Sequence, residues 1–175
     1  MKQRIACLTL LALLLMAFPS FAQEGTTKGS LRINEIMASN KASLEDSFGK
    51  YPDWIELVNT SNESIDLSTV TLSDKEDKLD KYTFPAGTTL EPGAYIVVFA
   101  SGLQKDILPD ERHAPFKLSA SEENVYLSMD GILIDTISFT SQLPDVSLAL
   151  DEQGTPSQTI TPTPGWENQI VAPET

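Results

Sequence analysis

Asp53-Trp54-Ile55-Glu56-Leu57-Val58-Asn59 is the stretch that decides the fold. Its side chains alternate, with Ile55 and Leu57 on one side and Trp54, Glu56 and Val58 on the other. Each side carries apolar groups, so the segment reads as a central strand covered at least partly on both faces. Upstream, Leu31 and Ile33 alternate with polar residues until the phase slips at Asn34-Glu35 before Ile36. A slip of one residue inside a strand predicts a β-bulge.

Working outward, short β-patterned segments follow one another. Ile65 and Leu67 alternate, as do Val70 and Leu72, and Tyr82 and Phe84 end at Pro85. Glu91-Pro92-Gly93-Ala94 predicts a turn, because proline presets φ at the second position and glycine supplies a positive φ at the third. Tyr95–Ala100 is an apolar run too short for a helix. Val125–Met129, Asp130-Gly131 and Ile132–Phe139 form the strongest hairpin signal in the chain. Val146, Leu148 and Leu150 alternate again, and from Thr155 onward the Thr, Pro and Gly content predicts loop or tail. Leu103–Arg112 has room for one helical turn, limited by Pro109. Many short strands separated by Gly, Pro, Asn and Asp predict an all-β sandwich or barrel.

The N-terminus reads differently. Lys2 and Arg4 precede an uncharged apolar block, Ile5–Phe18, and Ser20-Phe21-Ala22 offers small residues where a signal peptidase cuts. Residues 1–22 are therefore expected to be a cleaved signal peptide, with cleavage between Ala22 and Gln23. The block is short of the roughly 20 residues a membrane span needs. Cys7, the only cysteine of the 175 residues, would leave with it. No disulfide framework is then available, and stability must come from an apolar core. The expected location is the periplasm, the cell surface or the medium.

The whole chain holds 12 Lys+Arg against 25 Asp+Glu, and loss of Lys2 and Arg4 would leave 10 against 25, a net charge of −15. Such a surface repels phosphate backbones, which argues against nucleic acid as a partner. Strong acidity also serves solubility alone.

An ordered series of motifs points further. Ile33-Asn34-Glu35-Ile36-Met37-Ala38-Ser39-Asn40 leads to Tyr51–Asn59. Asp66-Leu67-Ser68, Leu72-Ser73-Asp74 and the segment from Phe84-Pro85 to Pro92-Gly93 follow. Ala114-Pro115-Phe116-Lys117-Leu118-Ser119 precedes the hairpin, and Asp145-Val146-Ser147 and Thr163-Pro164-Gly165-Trp166-Glu167-Asn168 close the series. In this order the set resembles the bacterial, secreted branch of the lamin tail domain family, over Leu31–Asn168. Thr69-Val70 and Leu148 depart from the family's pattern at positions where an aromatic, or at the latter a glycine, is common. The resemblance implies an immunoglobulin-like β-sandwich that acts as an interaction module, in bacteria often beside hydrolase or nuclease domains. It implies no catalytic residue, and fold alone does not give function. The domain is expected over residues 31–168, with a polar linker at 23–30 and a tail at 169–175.

His113 is the only histidine, no Gly-x-Ser-x-Gly elbow accompanies it, and it is expected to be a loop residue. One histidine and no retained cysteine leave too few of the usual zinc ligands. Glu35, Asp53 and Glu56 lie near Trp54, as acids of a glycosidase would. The expectation is instead that they satisfy backbone groups at strand ends and bulges. Asp74, Glu76, Asp77 and Asp80 crowd one segment with the hard oxygens calcium takes. Lys75, Lys78 and Lys81 interleave with them and favour a solvated loop. Asn59-Thr60-Ser61 and Asn62-Glu63-Ser64 are formal glycosylation acceptors, expected here to be turns. Trp54 is expected in the core and Trp166 as an anchor for the tail. No catalytic, cofactor-binding or metal residue is assigned.

Two functions follow as expectations. The first is an exported, non-enzymatic module that binds a protein or envelope component, with calcium or a glycan as lesser ligands. The second is an accessory domain of a secreted hydrolase or nuclease system, motivated by the Thr/Pro-rich stretch after Ile160, which reads as a linker entrance.

Overall fold

The computed structural model describes residues 29–103 and 110–174. The expected signal peptide, the linker up to residue 28 and most of the expected helical turn at Leu103–Arg112 lie outside the described residues. At the edges of that turn, Leu103, Glu111 and Arg112 are not helical.

The described residues form eleven strands: β1 (Leu31–Met37), β2 (Asp53–Asn59), β3 (Ile65–Asp66), β4 (Val70–Ser73), β5 (Tyr82–Thr83), β6 (Thr89–Leu90), β7 (Tyr95–Ala100), β8 (Glu123–Met129), β9 (Ile132–Phe139), β10 (Ser147–Leu150) and β11 (Pro156–Thr159). They form a five-stranded sheet ordered β11-β10-β1-β2-β7, a four-stranded sheet ordered β5-β4-β8-β9, and a β3-β6 ribbon. All the strand pairs are antiparallel. This is the all-β sandwich that the alternating segments predict, in the immunoglobulin-like form that the resemblance implies.

Leu31, Ile33 and Ile36 of β1, Ile55 and Leu57 of β2, Val98 of β7 and Leu148 and Leu150 of β10 turn inward. They meet Val70, Leu72, Val125, Leu127, Ile137 and Phe139 from the other sheet in one buried core. Each such side chain contributes about 1.5–3 kcal/mol on leaving water. The β8–β9 hairpin turns at Asp130 (φ 53°) and Gly131 (φ 74°), the two left-handed residues that a two-residue hairpin requires.

The phase slip is a bulge: the β1–β2 register shifts between Ile33 and Glu35. Ile33 and Ile36 both face the core, so the two residues between them, Asn34 and Glu35, are released to the opposite face. Near the irregularity, the Ile33 backbone N–H is accepted by Asp135 of β9 at 2.9 Å.

The outer face of the larger sheet is also covered, as the composition of β2 predicts. Met37, Trp54 and Phe99 make a second buried cluster there, with Leu44 and Val97 against it. Trp54 is thus a core residue. One expectation fails. Residues after Thr155 are not simply loop or tail, because β11 pairs with β10 from Ser147↔Thr159 to Leu150↔Pro156. Thr159 Oγ1 then donates to the Gln169 carbonyl and accepts the Val171 N–H, so even part of the expected tail at 169–175 is fastened down.

Candidate interaction site

Glu35 and Glu56 stand opposite each other on β1 and β2, and both are fully buried. Burial without donors would expel a carboxylate, so their partners matter. Glu35 accepts from the Ser147 hydroxyl and from Thr163, whose N–H lies 3.1 Å and whose hydroxyl lies 3.3 Å from Oε2. Glu56 accepts from Asn34 Nδ2 at 2.8 Å and from the Gly165 N–H. Asn168 Nδ2 donates to the Asn34 and Leu150 carbonyls at 3.2 and 2.9 Å. The Thr163–Asn168 segment is therefore a strap laid over the outer face and held by two acids and two amides. Gly165 (φ 86°) lets its amide turn onto Glu56.

Desolvation by burial raises the pKa of both acids. For Glu35 the Ser147 and Thr163 donors oppose the rise. Glu56 is pushed from 4.5 to about 7, with the neighbouring Glu35 adding to the effect of burial. The glycosidase reading fails on access, since neither carboxyl reaches solvent. Asp53 caps the neighbouring loop through the Asn40 N–H at 3.1 Å. All three acids thus serve backbone groups, as the bulge and strand-end argument expects. Trp166 does not anchor the strap: its ring is 75% exposed.

His113 is a loop residue, joined to Phe99 by an isolated parallel bridge, but it is completely buried, which its sequence context does not foretell. Its ring stacks on Phe99 at 5.3 Å and tilts against Phe48 at 6.0 Å. Nδ1 lies 3.0 Å from Ser101 Oγ and Nε2 lies 3.2 Å from Glu111 Oε2. Glu111 also accepts the Ser47 N–H and hydroxyl, at 2.9 and 2.6 Å. Burial alone would raise the Glu111 pKa, but these donors outweigh it and the pKa falls. Ser, His and Glu in a row invite comparison with an acyl-transfer triad. The sealed imidazole cannot meet a substrate, and the Gly102 N–H beside Ser101 is spent on the Ala114 and Phe116 carbonyls. The cluster instead ties the loop after β1 to the segment after β7. Ser101 and Glu111 carried no signal in the sequence, because their relation to His113 is made only by folding.

In the acid-rich loop, Asp74 is paired with Lys81 at 2.5 Å, while Ser73 Oγ donates to the Lys75 and Lys78 carbonyls. Among the described residues no three acidic or histidine side chains converge on a metal-sized point. Asn59 is the last residue of β2 and not a turn residue as expected; it is fully buried, and its amide donates to the Glu63 and Leu90 carbonyls, which leaves it unavailable to a glycan.

Several concave surfaces remain among the described residues. A cleft of about 540 Å³ lies between the loop after β1 and the end of β7. Lys41, Lys50, Lys117, Phe48, Tyr51 and Asp53 line it. Its floor is prearranged. Asn40 accepts the Ser43 and Leu44 N–H groups and donates to the Leu44 and Pro52 carbonyls. Asp46 accepts the Phe48 and Lys50 N–H groups, both at 2.9 Å, and Asp145 accepts those of Lys41 and Ala42. Among the described residues no helix is long and apolar enough to cross a membrane.

A comparison with curated proteins finds no match. The family model described as Lamin Tail Domain matches residues 24–141. β10 and β11 lie beyond that match yet complete the same five-stranded sheet, and the strap, also beyond it, lies over that sheet's outer face. With the immunoglobulin-like sandwich in place and two thirds of the chain matched, the chain belongs to the lamin tail domain family.

Proposed function

We propose that this protein is an exported, non-catalytic interaction module that binds a protein or a cell-envelope component through its surface. The carrying observation is how its polar groups are used. Glu35, Glu56 and His113, the residues that resemble catalytic machinery, are buried and spent on internal partners. Exposed, prearranged loops are left to make contacts. Membership of a family of immunoglobulin-like modules supports the same reading. Export rests on the pattern of residues 1–22.

One observation behind the accessory-domain alternative, in which a catalytic part lies in another chain or is missing from this one, changes. The Thr/Pro-rich stretch after Ile160 is bound back onto the sheet through Thr163, Gly165 and Asn168, and does not stand off as a linker entrance.

Thermal unfolding of the purified protein, with and without envelope fractions, tests the proposal. A ligand bound only by the folded state adds about 2.7 kcal/mol of stability at a hundredfold excess over its Kd. A saturable rise in midpoint supports the reading. Hydrolysis of an envelope component that disappears in Asp53→Asn overturns it.

A further inference from the structure

The cleft holds an unusual concentration of positive charge for this molecule. The full chain carries a formal charge of −13, yet three lysines, Lys41, Lys50 and Lys117, line this one concavity. All three side chains are exposed and none lies within ion-pair distance of a described acid, though Lys41 and Lys117 stand close enough to Asp53 to favour its charged form. The cluster at Lys75, Lys78 and Lys81 differs, because acids interleave with it and Lys81 is paired to Asp74. Lysines gathered around a concavity focus a positive potential where the rest of the surface repels anions.

Two aromatic rings stand at the same cleft. Phe48 is 46% exposed and Tyr51 is 40% exposed. Both are fixed by short contacts outside the cleft: Phe48 against the His113 ring, and the Tyr51 hydroxyl on Glu45 Oε2 at 3.0 Å. Fixed rings beside cations suit a ligand with a flat apolar face and an anionic substituent. The acids in the cleft narrow the choice of anion. Asp46 has its Oδ1 committed to backbone N–H groups, while Asp53 accepts at Oδ1 alone, leaving Oδ2 to take a hydroxyl proton. Closely spaced phosphates would meet these carboxylates unfavourably. A glycan bearing one carboxylate on each sugar ring, spaced apart among several hydroxyls, would not.

From this geometry we infer that the cleft between the β1–β2 loop and the end of β7 binds a carboxylate-bearing glycan. Lys41, Lys50 and Lys117 face its acid group, Phe48 and Tyr51 face its sugar rings, and Asp53 accepts a ring hydroxyl. This deepens the proposed function by giving the envelope component a chemical class, and it rests on that proposal.

Calorimetric titration of the purified protein with trigalacturonate, and with its neutral methyl ester, tests the site. Binding to the acid, weaker at high salt and lost in the ester, is the expected result. The double variant Lys50→Gln/Lys117→Gln should weaken it about tenfold or more. Lys75→Gln/Lys78→Gln, with the same change in net charge, should leave it unaltered. Tyr51→Ala, which removes a ring and no charge, should weaken binding several-fold. Absence of trigalacturonate binding overturns the inference, as does an equal loss in the two double variants. Tighter binding of a short polyglutamate peptide also overturns it, in favour of an acidic protein partner. If the inference fails while envelope fractions still raise the unfolding midpoint, the interaction role stands. If neither the glycan nor any fraction binds, both fall.

Discussion

Glu56 lies under the strap with Asn34 and the Gly165 amide as its donors, and opposite another buried acid. Its pKa of about 7 means that the folded protein holds this proton more tightly than the unfolded chain does. The resulting stabilisation is complete below about pH 4.5 and is lost as pH rises through 7. Converted at 1.36 kcal/mol per unit, the loss is on the order of 3 kcal/mol. Glu35, raised by burial in the same direction, adds to it. Denaturant midpoints measured between pH 5 and pH 8 should therefore fall as pH rises, and the fall should be shallower in Glu56→Gln. That variant also places an amide where a carboxylate oxygen accepts an N–H, at a cost of about 1–3 kcal/mol at acid pH. A wild-type midpoint that is flat or rising over this range would contradict the burial of the acids. At the same scale, Asn168→Ala leaves the Leu150 carbonyl and the Asn34 backbone oxygen without their donor, and should cost about 1–3 kcal/mol in urea unfolding.

Among elements, the strands that carry apolar alternation were legible in sequence. β2 and the β8–β9 hairpin follow from period-2 patterning and from Asp130-Gly131, β7 from a continuous apolar run too short for a helix, and the bulge from a single broken phase. β11 was not legible, because Pro156-Ser157-Gln158-Thr159 has no apolar member and owes its place to backbone pairing with β10. The strap was hidden for a related reason: its anchors join residues more than a hundred positions apart. Glu35 and Glu56 could be read as backbone-serving acids, but not which backbone they serve. The cleft likewise depends on loops folding against each other, and so could not be seen in the order of the residues. Removing the strap, by truncation after Ile160, should rehydrate both acids. The pH dependence between 5 and 8 should then largely vanish along with part of the stability, as followed by circular dichroism.

For the whole molecule, the sandwich is closed on two sides: a main core between the sheets, and a second cluster around Trp54 on the outer face. Trp54→Ala should cost about 3–5 kcal/mol, comparable with loss of a residue from the main core, as measured by urea denaturation. A loss near zero would mean that the outer face is not a packed layer. This double closure consumes Glu35, Glu56 and His113, and leaves the rim of the fold as the surface on which the proposed binding would occur. Binding without turnover is the central claim. Its most direct test titrates the purified protein with fractionated envelope material, reading the unfolding midpoint and released fragments together. The account predicts a saturable rise in midpoint with no fragments released. Release of fragments in proportion to protein and time would contradict it.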